Sequence, residues 1–294
     1  MEHLVCAVHD GFTQVVQGRL DKDGGFRILH HELLDNRLDY SLARHGHLRP
    51  EARELVEKQL RPLALRQQKG PGPVDILLAP SLATLSRTRQ ERESWARHLN
   101  STMGYTVHCL DGETEGRLLK LAHERCFPGE EHCYLLQPGG WHSLLVRELG
   151  QGTVVSELPW GCERPGFCSA AGVIREDAMP ELDDLLRGHL KVLDLTGQHA
   201  WLLGLVAARL TFRDDRRLAA CTLDHDGLRS LREWLCTFDA GQRETLPMLA
   251  GRGHTVIDAL ALVEAVMHTR GFRSLRFCPW NAAHAFLLER LLAA

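Results

Sequence analysis

The chain predicts an α/β protein of two domains, and three observations predict it. Leu4 to Val8 is apolar, Asp10-Gly11 turns, and Thr13 to Arg19 returns. Much later, Cys133 to Leu136, Pro138-Gly139-Gly140 and Ser143 to Leu149 repeat that strand, turn and strand. Alternating strand and helix patterns follow each hairpin, which is the signature of a duplicated α/β unit. Val74 to Ala79 is a continuous apolar run of strand length, the kind buried on both faces of a sheet. At 294 residues the chain is long enough for two domains of ordinary size. The expected boundary lies near residue 120, giving domains 1–120 and 121–294 with a cleft between them.

The elements follow in order. Phe26 to Leu33 is a third strand. Pro50 to Arg66 is helical, because Ala52, Leu55, Val56, Leu60 and Leu63 recur at helical spacing and Pro50 fits a first turn. A Gly- and Pro-rich loop separates it from the strand at Val74. Arg87 to Leu99 is a charged helix and Thr106 to Leu110 a strand. Asp111-Gly112 turns into a helix from Glu113 to Cys126. In the second half, Thr153 to Leu158 extends the hairpin, Pro180 to Leu190 and Asp226 to Leu235 are helices, and Ala200 to Val206 is apolar. Arg252 to His268 is a long helix with Val256, Ile257, Leu260, Val263 and Val266 on one face. Leu275 to Cys278 is a short strand, and Ala282 to Leu292 closes as a helix.

Composition excludes several classes. The chain is 44% hydrophobic and 25% charged, as soluble proteins are. No apolar run spans a bilayer, and the start lacks the form of a secretory signal, so the expected location is the cytoplasm with no membrane partner. Net charge is −3 and no basic stripe stands out, which argues against nucleic acid as a partner. Nine cysteines contain no Cys-x-x-Cys pair and read as buried reduced thiols. His123, Cys126, His132 and Cys133 match no standard zinc spacing, so no metal site is assigned.

The glycine turns suggest phosphate, since glycine lets backbone N–H groups approach an anion. Arginines at 37 and 87 and an acidic residue at 115 accompany them. In order along the chain stand Val8-His9-Asp10-Gly11-Phe12-Thr13, Arg37-Leu38, Gly46 to Ala52, Ala83-Thr84-Leu85-Ser86-Arg87, Asp111 to Leu118, Leu136 to Trp141 and Leu158 to Gly161. This colinear set resembles the exopolyphosphatase and guanosine pentaphosphate phosphohydrolase (Ppx/GppA) family. That resemblance implies two actin-like (ribonuclease H-like) domains with a central cleft. It also implies phosphoanhydride hydrolysis with Glu115 as general base. Gly11, Gly139, Gly140, Arg37 and Arg87 are the phosphate-binding residues it implies, and magnesium is the cofactor if the protein is active.

Departures from the family pattern point the other way. His9 stands at the first metal-holding aspartate, with Asp10 one place off and so on the opposite strand face. Leu136 is read at the second aspartate and Trp141 at the hydroxyl after the glycines. The apolar stretch Gly204 to Ala208 stands where the family has a hydroxyl-bearing glycine turn. Trp141 is expected to fill the space of a phosphate. Three functions follow in order of preference. The first is a non-catalytic or very weak scaffold holding a phosphate-containing ligand or a protein partner, with a homodimer also open. The second is an active phosphohydrolase using Glu115, Arg87 and His9. The third is an actin-like nucleotide-binding module.

Overall fold

The protein is described from a computed structural model, which covers residues 2–69, 73–83, 86–130, 133–140, 143–149, 152–158, 192–196, 222–246, 249 and 253–294. The expectations for Trp141 and for residues 180–190 and 200–208 lie outside these. By contact the chain forms two units, Met1–Leu118 with Ala282–Ala294, and Leu119–Asn281. The closing helix, expected with the second domain, therefore packs with the first unit.

In the first unit β1 (Glu2–Val8), β2 (Phe12–Leu20), β3 (Phe26–Asp35), β4 (Val74–Leu78) and β5 (Thr106–Cys109) form a sheet in the order β3-β2-β1-β4-β5. β1 runs antiparallel to β2 and parallel to β4. The central strands are buried on both faces, as the unbroken apolar runs require, whereas edge strand β3 alternates between part-buried and exposed residues. Helices α2 (Pro50–Lys69) and α3 (Ser86–Met103) supply Val56, Leu60, Trp95 and Leu99 to one core, against Cys6, Val8, Ile76 and Leu78. The short helix α1 (Leu38–His45), not anticipated from the sequence, ends on Gly46, whose left-handed backbone (φ 67°) lets its N–H reach Leu42 O. The closing helix α8 (Ala282–Leu292) packs on β1 and β2. Its approach is close enough to demand Gly18, since a Cβ there meets Arg27 O at 2.9 Å and Leu287 Cδ2 at 3.1 Å.

A carboxylate also lies beneath α8. Asp75 is 3% exposed and is matched by His3 and His108 (2.6 Å each) and Arg290 (3.1 Å). Burial would raise its pKa, but the hydrogen bonds from His108 and His3 and the charge of Arg290 together hold it well below the usual carboxylate range.

In the second unit β6 (Tyr134–Gln137), β7 (Ser143–Leu149), β8 (Gly152–Leu158), β9 (Val192–Leu195), β10 (Thr222–Asp224) and β11 (Ser274–Phe277) form a sheet ordered β10-β11-β9-β6-β7-β8. α5 (His225–Cys236) and α7 (Gly253–Arg270) bury Leu228, Leu231, Leu235, Leu260 and Val263 against Leu136, Leu145, Leu193 and Phe277. Between them α6 (Ala240–Glu244) is one turn closed by an Asp239–Gln242 capping box. α4 (Gly112–Cys126) starts in the first unit and ends in the second.

The two sheets repeat one plan. Each has a three-stranded antiparallel meander, β1-β2-β3 or β6-β7-β8, whose first strand runs parallel to the next central strand, β4 or β9. The ladders end alike. Ala79 N–H donates to Val8 O and Leu110 N–H to Leu78 O; Thr196 N–H donates to Leu136 O and Cys278 N–H to Leu195 O. Val8 and Leu136 are therefore equivalent positions.

Candidate functional site

In the first unit the strand ends gather polar side chains that are almost wholly buried. His9 and Asp10 leave β1, and the turn closes by His9 N–H donating to Phe12 O at 2.9 Å. The His9 ring stacks on Phe12 with centroids 4.6 Å apart. Asn36 fastens this turn from the end of β3. Its Nδ2 donates to His9 O (3.0 Å) and Thr13 Oγ1 (3.2 Å), and its Oδ1 accepts Leu38 N–H (3.1 Å). Asn36 N–H reaches Gly11 O at 3.4 Å, and Asp39 N–H donates to the carbonyl of Asp10. Across the sheet edge, the buried Arg92 on α3 donates to Ala79 O (3.1 Å) and Leu110 O (2.7 Å), satisfying carbonyls just past β4 and β5.

α4 brings Glu115 to this edge. Asp111 caps the helix by accepting Thr114 N–H at 2.8 Å, and Glu115 follows in the first turn, where a carboxylate suits the helix dipole. Glu115 is 2% exposed, with an oxygen 4.0 Å from His9 Nδ1. Burial lowers the His9 pKa to about 4, so the imidazole is neutral near pH 7 and the contact is not an ion pair.

Glu115 and Gly11 thus lie on one edge of the first unit. Arg37 does not join them through its side chain. Its backbone is left-handed (φ 55°), its Nε donates to Asp35 at 3.0 Å, and it lines a cavity of about 340 Å³ with Asn36, Tyr40, Arg49, Glu51 and Leu55. Arg87 lies in the first turn of α3, and its side chain lies outside the described residues.

Gly139 and Gly140 form the corresponding turn of the second unit, where Gly139 N–H donates to Ser143 Oγ at 3.3 Å. Here one expectation is corrected. Leu136 does not stand at the strand-end aspartate position: it is fully buried in the core and is equivalent to Val8. The residue equivalent to His9 is Gln137, one place on. A one-residue shift turns a side chain to the other face of a sheet, so the ladder register decides the matter.

Asn36, Arg92, Gln137 and Ser143 were not singled out by sequence. Asn36 alone carried a local signal, an Asn just before a helix start. Arg92 is one of many arginines on a charged helix, and only its burial sets it apart.

The family resemblance implies magnesium, and the two strand-end residues, His9 and Gln137, are not the carboxylates that would hold it. Magnesium is held through carboxylates and water. The two equivalent strand ends offer a neutral imidazole at His9 and a neutral amide at Gln137. Among the described residues, His123, Glu130 and Asp194 group in the second unit, but Arg276 already forks onto both carboxylates.

No family model matches the chain, and no curated protein matches it. Solved structures do. An exopolyphosphatase from Cytophaga hutchinsonii superposes with a TM-score of 0.82 at 14% identity, covering 100% of this chain and 99% of that one. A Ppx/GppA family member from Aquifex aeolicus gives 0.75 at 15%, covering 100% and 98%. Among the described residues, no helix is long and apolar enough to cross a membrane. Two α/β units with one repeated ladder, matched over their full length, give this chain the two-domain α/β fold seen in solved Ppx/GppA exopolyphosphatases.

Proposed function

We propose that the protein is an exopolyphosphatase-like scaffold that holds a phosphate-containing ligand or a protein partner and hydrolyses phosphoanhydrides weakly or not at all. The observation that carries this is the pair His9 and Gln137. They occupy equivalent strand ends and bring no negative charge to either. Phosphoryl chemistry rests on positioning and on neutralising charge, so losing the metal anchors removes most of the driving term. In the second turn, Ser143 already engages the Gly139 N–H that a phosphate oxygen would use.

One observation favours the second reading, an active phosphohydrolase. Glu115 is buried beside neutral His9 at 4.0 Å, an arrangement in which a carboxylate can accept a proton from water.

The deciding experiment incubates the protein with long-chain polyphosphate and magnesium and follows phosphate release, with pyrophosphate binding measured by calorimetry without metal. The scaffold reading expects release at the buffer rate and binding indifferent to magnesium. Magnesium-dependent release abolished by Glu115→Gln would establish the enzyme instead.

A further inference from the structure

The end of α4 and the end of β11 meet over the second sheet. His123 on α4 lies 2.9 Å from Asp194 on β9, and Arg276 on β11 donates to the same carboxylate at 2.7 and 2.8 Å. The Arg276 guanidinium also sits 4.0 Å from the centroid of Phe127 and forks onto Glu130 through two contacts of 2.6 Å.

These contacts bring together the two elements that carry a pair of thiols. Cys126 follows His123 by three residues on α4, so it shares that face of the helix. Cys278 follows Arg276 by two residues in extended chain. Its N–H is still in the ladder, donating to Leu195 O at 2.7 Å, so its side chain shares the face of Arg276. The two faces are those that His123, Asp194, Phe127 and Arg276 hold together. Both cysteines are free thiols, Cys126 half-buried and Cys278 buried. The Cys278 sulfur also lies 3.2 Å from the Trp280 carbonyl oxygen. The hydrogen bond from Cys278 lowers the Cys126 pKa below the ordinary thiol value, while the same bond and then burial hold Cys278 well above it. The pair is therefore asymmetric, one sulfur suited to attack and the other to resolve.

We propose that Cys126 and Cys278 form a modification site, a thiol pair that a hydroperoxide oxidises to an intramolecular disulfide. The Cys126 sulfur attacks one peroxide oxygen; an S–O bond forms, the O–O bond breaks, and the leaving oxygen takes a proton to become water. The Cys278 sulfur then attacks the sulfenic sulfur; the S–S bond forms, the S–O bond breaks, and a second water leaves. Two thiols lose two electrons and two protons, and one hydrogen peroxide becomes two waters. The disulfide joins the last turn of α4 to the strand that holds Arg276. This holds whether or not the strand-end turns hydrolyse anything.

The test treats the full chain with hydrogen peroxide, alkylates remaining thiols, digests without reductant and maps linked peptides by mass spectrometry. The expected product joins Cys126 to Cys278 and disappears on reduction with dithiothreitol. Cys278→Ser should remove the link and let Cys126 run on to sulfinic acid, whereas Cys236→Ser, at an exposed site, should leave the link intact. A trivalent arsenical, which needs two adjacent thiols, provides a reading on the unaltered protein. It should slow alkylation of both cysteines together by about tenfold or more if the pair is preformed. Sulfinic acid as the main product at Cys126 in the wild type, a link from Cys126 to another cysteine, or no protection by the arsenical would each overturn the proposal.

Discussion

The two units share a ladder and differ at its end. Val8 pairs with Thr13 across the first hairpin, and Leu136 pairs with Leu145 across the second, so the second turn is the longer. The short turn is fastened from outside by Asn36, a side chain from another strand. The long turn is fastened from within by Ser143, the first residue of its own returning strand. Each sheet also buries one aspartate on a central strand, matched by two histidines and an arginine at Asp75, and by one histidine and a bidentate arginine at Asp194. The same backbone plan thus tolerates different polar solutions, provided each buried group is matched.

The largest expected difference lies between the two aspartates. Asp194→Ala leaves the Arg276 fork without its buried partner and should destabilise by about 3–5 kcal/mol, read from a denaturant midpoint. Asp75→Ala should cost less, about 1–3 kcal/mol, because the part-exposed Arg290 can turn to water. Equal losses would mean that partner chemistry does not set the cost.

Next come the turn fasteners. Asn36→Ala removes three hydrogen bonds from a fully buried amide and should cost about 2–3 kcal/mol. Ser143→Ala removes the long bond from Gly139 N–H and should cost less, about 1 kcal/mol. The reverse order would show that the second turn depends on its hydroxyl more than the geometry indicates.

A magnesium test separates the two strand ends. His9→Asp places a carboxylate beside Glu115, and magnesium affinity should rise about tenfold by calorimetry, since two carboxylates suit that ion. Gln137→Asp supplies its carboxylate to the turn closed by the neutral pair Gly139 and Ser143, and its gain should be smaller. No gain at His9 would mean that burial, rather than missing charge, keeps magnesium out.

The smallest effect concerns acid. The Asp75 pKa is lower in the folded chain than in the unfolded one, so its contribution is complete above the ordinary carboxylate range, near pH 4, and is lost as pH falls through the folded value. Asp75→Asn should flatten the acid limb of the stability profile below about pH 4. An unchanged acid limb would show that other carboxylates control acid unfolding.

Much of the fold was legible because it is written in local patterns. The hairpins, the apolar strand at Val74 and the helices at Pro50, Arg252 and Ala282 each carry a period or a turn signal of their own. β9 escaped notice because Asp194 interrupts a run of only four residues, and its charge makes sense only beside Arg276 and His123, far away in sequence. α1 escaped because it is only two turns long.

The candidate site divides along the same line. By itself the sequence determined that His9 is no carboxylate, that Gly11, Gly139 and Gly140 stand in turns, and that Glu115 opens a helix after the Asp111-Gly112 turn. Side-chain chemistry and helix starts are local properties. Only the tertiary structure decided that Gln137, and not Leu136, is the counterpart of His9, because the face a residue occupies depends on strand register. It also decided that Arg37 turns to Asp35, that Asn36 and Arg92 serve the strand ends, and that the elements carrying Cys126 and Cys278 meet. The last two depend on contacts between distant segments, and nothing in the neighbouring residues encodes them.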